Sequence, residues 1–335
     1  MKMFKKSRIA WTISALFLVA VTSCSKDEPA EQSPSLSAGQ ILFTAEQAGL
    51  TVKSALIPNN SDFVADAGST LKTTLHGNVT WWTALTDKTG IYSTEARTAP
   101  NSGGTLGIIN DEYSANSTGP SSDFTPITAM YWGVAATPHN FYAYYPFLGG
   151  SQAAADVPVG LLDIQAQLIV NDYTHIGALD FLVATPVVVN SPDNTSQTGN
   201  LVHLTYNHLF TIVEFDISGS GTIGGVQLRG TNLSLAGAKI DIKQTTPAPG
   251  VAYTLADPGS QTGSVIVNLA TAATLSATAT DTKVFMVVYP GFAGTCYIDF
   301  LNGGTWKNTV IKQAPVGGFL RGQYYVVTVN AGAVI

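Results

Sequence analysis

The chain is organised around one stretch, residues 201–217, which reads LVHLTYNHLFTIVEFDI. It contains no Gly or Pro, and its β-branched and aromatic residues favour a pleated, half-buried strand over a helix. Alternate side chains of a strand lie on opposite faces, and here the dominant apolar face changes between Leu209 and Ile212. We therefore predict a core strand that is either covered on both sides at this point or re-aimed by a bulge.

The rest of the chain also has the pattern of an all-β protein. A polar, turn-rich segment, residues 191–200, precedes the opening stretch, and turns rich in Gly, Pro and Asp separate the segments that follow. Strands and turns recur at the short spacing that is typical of β-sandwiches. We therefore predict two tandem β-sandwich domains, residues 40–198 and 199–335. The later strands are predicted near residues 225–229, 238–243, 264–269, 283–289, 295–300, 305–312 and 323–330.

Residues 1–23 are predicted to be a lipoprotein signal peptide. Four basic residues precede an apolar core, residues 9–21, that is too short to span a bilayer comfortably. The sequence VTSC, residues 21–24, then matches a lipobox, so Cys24 is predicted to become the acylated, palmitate-bearing first residue. The charged residues 25–28 resemble an export tag for the outer face of some Gram-negative outer membranes, and residues 24–39 are interpreted as a tether.

Composition and cysteine content exclude some classes of protein. Of 16 basic and 22 acidic residues, four basic ones and no acidic one lie in the signal peptide, so the mature chain has a formal charge of −10. Such a charge disfavours nucleic acid as a partner. Only two cysteines are present. Once Cys24 is acylated, Cys296 has no intramolecular partner and is interpreted as a small buried apolar residue.

Four short motifs occur in the order found in the fimbrillin (Mfa-like) family, the pilins of type V fimbriae. They are FYAYYP at 141–146, DFLVA at 180–184, Tyr206 and His208 in the opening stretch, and RGQYY at 321–325. Together these motifs span most of the mature chain, which therefore resembles this family. The resemblance implies transthyretin-like sandwich domains, a lipoprotein precursor and a location at the cell outer membrane and in the fimbrium.

The resemblance also implies a maturation site. The first predicted strand begins at residue 41 and places Ile41, Phe43 and Ala45 on one face. Fimbrillins carry a basic residue after this strand, where a trypsin-like protease cuts. Lys53 holds that position here, although the family usually has Arg, and cleavage would make Ser54 the new N-terminus. The alternative is a solvated loop lysine.

Removal of the first strand would open a groove that an extended strand of the next subunit can fill, in a head-to-tail polymer. The C-terminal segment is the candidate donor, because Tyr325, Val327, Val329 and Ala331 share one face. The alternative, equally compatible with the sequence, is that this segment is the last strand of its own domain. The predicted function is thus a structural or adhesive fimbrial subunit. Its predicted partners are other subunits, the outer membrane through the lipid, and ligands on host or bacterial surfaces.

No enzyme activity, cofactor or metal site is predicted. Residues 219–224 match a dinucleotide fingerprint, but strand-like residues follow where a helix is needed, so the segment is interpreted as a turn. His203 and His208 are five residues apart on one strand, so they face opposite ways and cannot share an ion unless a bulge lies between them. Glu214 and Asp216 share a strand face, which is interpreted as a solvated edge.

A second hypothesis is a surface glycan-binding lipoprotein that does not polymerise. Adjacent Trp81 and Trp82 must point to opposite faces of a strand. The exposed one could stack on a sugar ring, and the competing interpretation is that it covers or lies under a loop.

Overall fold

The structure is a computed structural model that describes residues 39–47, 64–65, 75–76, 79–100, 104–192 and 201–334. These residues form strands joined by turns, with two short 3₁₀ helices, Thr174–Ala178 and Ala279–Asp281. The all-β prediction is confirmed. The strands are β1 Leu42–Gln47, β2 Val64–Ala65, β3 Leu75–His76, β4 Val79–Thr80, β5 Lys88–Arg97, β6 Leu106–Ala115, β7 Ser121–Pro126, β8 Pro138–Tyr145, β9 Val157–Leu161, β10 Ile164–Gln167, β11 Leu182–Ala184, β12 Val187–Asn190, β13 Leu201–His208, β14 Thr211–Ile240, β15 Leu255–Asp257, β16 Ser260–Thr274, β17 Lys283–Val288, β18 Thr295–Asn302, β19 Thr305–Gln313 and β20 Tyr324–Val334.

Eight strands form the first sheet, in the order β11-β13-β1-β7-β6-β5-β8-β12. β11 also pairs with β8, with Leu182 opposite Tyr145, so the strands from β11 to β8 close into a ring. Within this ring β1 pairs parallel with β13 and antiparallel with β7. Each strand of the ring is therefore hydrogen-bonded on both sides, and β1 is one of the strands that keep the ring closed.

Ten strands form the second sheet, and the 30-residue strand β14 runs through it. Its first part pairs with β17 and β20, and its later part pairs with β16 and β18. The register with β20 shifts between Ser218 and Ser220. There a Cβ on Gly221 would come within 2.1 Å of the Val334 oxygen, and its φ of +95° also favours glycine. Residues 219–224 thus lie inside a strand, so their interpretation as a turn is wrong.

The opening stretch is two strands rather than one. β13 ends at His208 and β14 begins at Thr211, so the chain passes from the first sheet to the second at Leu209 and Phe210. In β13 only alternate side chains are inward, whereas every side chain from 211 to 217 is buried. The predicted change of apolar face is therefore the point at which the chain changes sheets, and the second strand is covered on both sides.

The two sheets do not divide at the predicted domain boundary between residues 198 and 199. β13 follows that boundary but lies in the first sheet, and β9 and β10 precede it but lie in the second. β9 pairs with the end of β14, and β10 pairs parallel with β16. The sheets are thus built from interleaved segments of one compact unit, Ser37–Ile335. The division into tandem domains stays a prediction.

Buried side chains form three clusters in the described part of the chain. One belongs to the first sheet and includes Phe43 and Tyr206. A second joins the two parts of β14, since Phe215 of the first part and Leu228 of the later part both belong to it. The third contains residues of both sheets, such as Tyr144 and Phe285. The second cluster therefore gives the second sheet the layered core of a sandwich.

Side chains, rather than a strand, close one edge of β17. Gln165 and Gln167 of β10 are 2% and 0% exposed, and their amides hydrogen-bond to the backbone of β17 at Lys283, Phe285 and Val287. The opposite face of β10 is exposed and apolar. Polar residues inside and apolar residues outside reverse the usual pattern, because the two amides satisfy backbone groups that a neighbouring strand would otherwise pair.

Candidate functional site: the slot of the first strand

β1 occupies a slot between β13 and β7. Phe43 lies opposite Val202 of β13 on one side and opposite Phe124 of β7 on the other. Just before the strand, the N–H of Ile41 donates to the carbonyl oxygen of Met130 at 2.8 Å. β1 is thus held along its length by backbone hydrogen bonds to segments that follow it in the chain by more than 70 residues.

The inner face of β1 is apolar at residues 41, 43 and 45 and ends at the buried Gln47. Ile41, Phe43 and Ala45 are 0%, 1% and 2% exposed, so the three side chains predicted to share a face do so. The ring of Phe43 lies edge to face against Tyr113 and Phe141, with centroid distances of 5.1 and 5.4 Å. Burial of an Ile or Phe side chain contributes about 1.5–3 kcal/mol. These contacts are lost if β1 leaves, unless another strand fills the slot.

The outer face of β1 consists of Leu42 and two polar residues, Thr44 and Glu46. Thr44 Oγ1 donates to the Ser122 oxygen at 3.2 Å, and Thr205 Oγ1 donates to Glu46 Oε1 at 3.4 Å. The slot therefore recognises a strand through its backbone and its alternate inward side chains. An extended segment with apolar residues at every second position could take the same place.

The motifs that carry the family resemblance meet where the chain passes between the two sheets. The carboxylate of Asp180 lies 2.9–3.0 Å from Nδ1 of His208, and both side chains are buried. Arg321 Nη1 donates to the carbonyl oxygen of His208 at 3.0 Å. Phe181 stacks on Tyr144, with ring centroids 5.8 Å apart. These four motifs therefore build a buried junction, which has a structural role.

Arg321 is the cation of this junction. It donates to the carbonyl oxygens of Pro247 and Val251 as well as His208, and its guanidinium lies 4.8 Å from the ring centroid of Tyr253. Burial lowers the pKa of Arg321 from its ordinary value, while Tyr253 acts in the opposite direction. The sequence showed each motif but not that they meet, because they are separated by up to 180 residues.

A buried ion cluster was missed by the sequence analysis. Lys283 Nζ contacts Glu214 Oε1 and lies 3.1 Å from Asp216 Oδ1. Glu214 and Asp216 are 5% and 9% exposed, so the interpretation of a solvated edge is wrong. Burial raises the pKa of Glu214 to about 7, Asp216 acts in the same direction, and Lys283 opposes the shift. One lysine cannot balance two close carboxylates, so Glu214 takes up a proton readily.

The two adjacent tryptophans differ in exposure. Trp82 is fully buried, and its ring packs edge to face against Phe124, Tyr145 and Tyr206 in the core of the first sheet. Trp81 is half-buried. Trp82 is therefore not the exposed member of the pair, and stacking on a sugar stays a prediction for Trp81 alone.

Several other predicted residues can be placed. His203 is exposed and His208 is buried, so the two histidines face opposite ways, as predicted. Cys296 is buried, as predicted; it is in no disulfide among the described residues, and its Sγ lies 3.5 Å from the carbonyl oxygen of Lys312. Within the described ranges, no three His, Cys, Asp or Glu residues lie together as metal ligands would, and no helix has the length and apolar character to cross a membrane. Outside those ranges lie the signal peptide, most of the tether, and the predicted lipidation and maturation residues Cys24, Lys53 and Ser54.

The predicted donor strand, β20, is hydrogen-bonded within the second sheet. It pairs parallel with β14 and antiparallel with β2. The side-chain amides of Asn302 and Asn308 donate to carbonyl oxygens at its end. A donated β20 would have to give up all these bonds, together with the core positions of its four inward residues, Tyr325, Val327, Val329 and Ala331.

Comparison with known proteins gives a family and a fold. The profile of the family described as "Fimbrillin-like" matches residues 73–334. No curated protein matches the chain. A solved structure of a "putative cell adhesion protein" from Bacteroides uniformis is similar, with a TM-score of 0.50 and 17% identity over 88% of this chain and 93% of that one. A fimbrial assembly protein from Parabacteroides distasonis gives a TM-score of 0.38 and 9% identity over 86% and 90% of the two chains. The Bacteroides uniformis structure supports the fold described above.

Proposed function

Because this chain belongs to the fimbrillin-like family, we propose that it is a structural or adhesive fimbrial subunit that reaches the cell surface as a lipoprotein. Acylated Cys24 anchors the precursor in the outer membrane. Cleavage after Lys53 releases residues 24–53, and with them both the lipid and β1. A strand of another subunit then enters the vacated slot, and the contact repeats head to tail to form a filament. Exposed surfaces of the subunit remain free to bind ligands on host or bacterial cells.

The position of β1 is the observation that carries this proposal. β1 is paired with β13 on one side and with β7 on the other, so its loss opens the closed ring and leaves two unpaired edges facing each other. A strand that enters between them is paired on both sides. β1 is also the first described strand, so one cut at Lys53 frees it and leaves the other described strands intact.

The interior of the slot sets the chemistry of the incoming strand. Tyr113 and Phe141 lose their ring contacts when Phe43 leaves, and truncating a buried Phe typically costs about 3–5 kcal/mol. A donor recovers this free energy if it places large apolar side chains at alternate positions. β20 has that pattern, with Tyr325 and Val327 at two of its inward positions, so β20 remains the candidate donor.

Maturation is tested by the N-terminus and intact mass of the protein taken from the surface of its native cells. A chain that begins at Ser54 and carries no lipid is the expected result. Acylated Cys24 as the N-terminus would contradict cleavage at Lys53 in those cells. A Lys53→Gln variant should keep the lipid and β1 and form no filaments. The matched control is Lys53→Arg, which keeps the basic side chain and should be cleaved and polymerised.

A disulfide tests whether β20 is the donor. Ser218 of β14 and Asn330 of β20 are paired positions, and neighbouring strands lie about 4.8 Å apart, within the Cα separation that a disulfide spans. A chain with Ser218→Cys and Asn330→Cys can fix β20 in its own sheet. We expect the oxidised variant to form no filaments and the reduced one to form them, with Ser218→Cys alone as control. Filaments built from the oxidised variant would exclude β20 as donor.

A further inference from the structure

A groove of about 520 Å³ opens beside the later part of β14 in the second sheet. Its walls include Arg229, Phe292 and Tyr297, and three residues with hydroxyl groups, Thr231, Ser264 and Thr295. Pockets of about 300–1,000 Å³ are of the size that holds small-molecule ligands. The sequence analysis assigned no role to any of these residues, and the proposed polymerisation does not use them.

The groove arises where β14 leaves its ladder with β16. Arg229 pairs with Ser264, and pairing resumes only where Ser234 lies opposite Thr262. Residues 230–233 of β14 therefore face the single residue Gly263, which makes a large bulge. Gly263 is required there, since a Cβ on it would come within 2.6 Å of the Gly230 oxygen. A bulge of this kind places backbone N–H and C=O groups outside the ladder, where a ligand can use them.

One wall of the groove is a guanidinium that is fixed on an aromatic ring. The guanidinium of Arg229 lies 5.1 Å from the ring centroid of Tyr297. Its Nε and Nη2 donate to the carboxylate of Asp299 at 2.5 and 3.1 Å, and Thr309 Oγ1 donates to the same carboxylate at 2.5 Å. The side chain of Arg229 is still 43% exposed, and Nη1 takes no part in these bonds. The wall therefore offers a rigid planar surface with a donor that a ligand can reach.

The charge of this wall is balanced within the protein. Burial acts to raise the pKa of Asp299, but the hydrogen bonds from Arg229 and Thr309 outweigh it and hold the pKa below its ordinary value. The carboxylate is thus ionised beside the guanidinium. A neutral ligand fits such a site better than a phosphate or a carboxylate, which would need an uncompensated cation.

We propose that this groove is a binding site for a neutral mono- or disaccharide. A sugar ring presents an apolar C–H face and a rim of hydroxyl groups. Tyr297 with its stacked Arg229 suits the C–H face, and the hydroxyls of Thr231 and Ser264 suit the rim, whereas the Thr295 hydroxyl is hydrogen-bonded to the side-chain amide of Gln313. An extended peptide would need a free strand edge, whereas β14 and β18 are paired on both sides at Arg229 and Tyr297.

The test is saturation-transfer NMR on residues 24–335 with Cys24→Ser, with methyl galactoside, methyl mannoside, methyl N-acetylglucosaminide and lactose as probes. We expect transfer to at least one probe. Tyr297→Ala should then weaken its binding at least tenfold, and Ser264→Phe, which fills the groove and keeps Tyr297, should do the same. The matched control is Ile311→Ala. Ile311 lies on β19, opposite Tyr297 of β18, and is 62% exposed. It does not line the groove, so saccharide binding should not change.

Two results would overturn the saccharide site. One is the absence of transfer to all four probes from the native chain, and the other is transfer that stays unchanged in both Tyr297→Ala and Ser264→Phe. The measurement uses the unpolymerised protein, so it is independent of the fimbrial proposal. Absence of saccharide binding would not argue against cleavage at Lys53 or strand exchange. Absence of cleavage or of filaments would likewise not argue against the saccharide site.

Discussion

Replacing Gln165 by Leu removes an amide that closes the edge of β17 and changes the size of the side chain very little. In the native chain Gln165 Nε2 donates to the Val287 oxygen at 2.7 Å, and the Val287 N–H donates to Gln165 Oε1 at 3.0 Å. Both bonds are buried. After the substitution, the N–H and C=O of Val287 stay buried without these partners, so we expect a large loss of stability.

The magnitude follows from the two groups that lose their partners. A buried donor or acceptor without a partner costs about 1–3 kcal/mol, so two cost roughly 2–6 kcal/mol. Burial of the new Leu offsets about 1–2 kcal/mol, which leaves a net loss of about 2.5 kcal/mol from the middle of each range and of at most about 5 kcal/mol. Gln167 binds the Phe285 N–H and the Lys283 oxygen at 2.9 and 3.1 Å. The Lys283 oxygen also accepts from the Asn171 N–H at 3.1 Å, so replacing both glutamines should cost more than replacing Gln165 alone but less than twice as much, still a large part of the roughly 5–15 kcal/mol of an ordinary domain.

Urea unfolding of residues 24–335 with Cys24→Ser, with and without Gln165→Leu, measures this loss, provided that the m-value stays constant. The matched control is Ile164→Thr, on the same strand but on its outer face and 56% exposed, where we expect a change within about 0.5 kcal/mol. The reasoning is refuted if Gln165→Leu loses less than about 1 kcal/mol and cannot be told from this control. Light scattering gives a second observable, because a freed strand edge promotes self-association.

Three further predictions concern the slot, the junction and the ion cluster. Phe43→Ala should lower the free energy of unfolding by about 3–5 kcal/mol, because the contacts of the Phe43 ring with Tyr113 and Phe141 are lost. Thr44→Ala, on the outer face, should change the free energy of unfolding little. Urea unfolding of both variants is the measurement, and equal losses would contradict the packing argument. Asp180→Ala removes the carboxylate that hydrogen-bonds to Nδ1 of the buried His208 and should cost about 1–3 kcal/mol. Asp180→Asn keeps an acceptor and should cost less, and equal stability of the two variants would contradict a role for this hydrogen bond. The pKa of Glu214 is about 7 in the folded chain against an ordinary 4.5. Protonation of Glu214 therefore contributes most to the free energy of unfolding below pH 4.5. This contribution is lost as the pH rises to 7, and the loss is at most about 3 kcal/mol. Glu214→Gln should remove this slope from urea midpoints measured between pH 5 and 8, and an unchanged slope would show that another group titrates.

The sequence predicted local features well where a single strand decides them. The inward face of β1, the opposite orientation of His203 and His208, and the burial of Cys296 all follow from alternation or from residue type. The same reasoning failed at Glu214 and Asp216. They were taken for a solvated edge because alternation identifies the residues that share a face but not what covers that face. Lys283, which pairs with both, lies 67 residues beyond Asp216.

Turn signals were misleading where glycine serves close packing. Residues 219–224 were interpreted as a turn because glycines and small polar residues favour one. In the fold they continue β14. Glycine is needed at positions 219 and 221 because carbonyl oxygens of β20 lie where a Cβ atom would leave no room. Similarly, a strand with Gln165 and Gln167 inside does not have the pattern of a core-facing strand. The reason for those two glutamines is visible only when the open edge of β17 lies beside them.

By itself, the sequence determined the all-β class, the apolar inner face of the first strand and the family. Each of these depends on alternation, on turn residues, or on short motifs that can be recognised within a few residues. Only the tertiary structure decided that residues 201–217 belong to two sheets, that β1 closes a ring, and that Arg229 and Tyr297 form one wall of a groove. These features depend on hydrogen bonds and packing between segments far apart in the chain, and no local pattern specifies which strand becomes the neighbour of which.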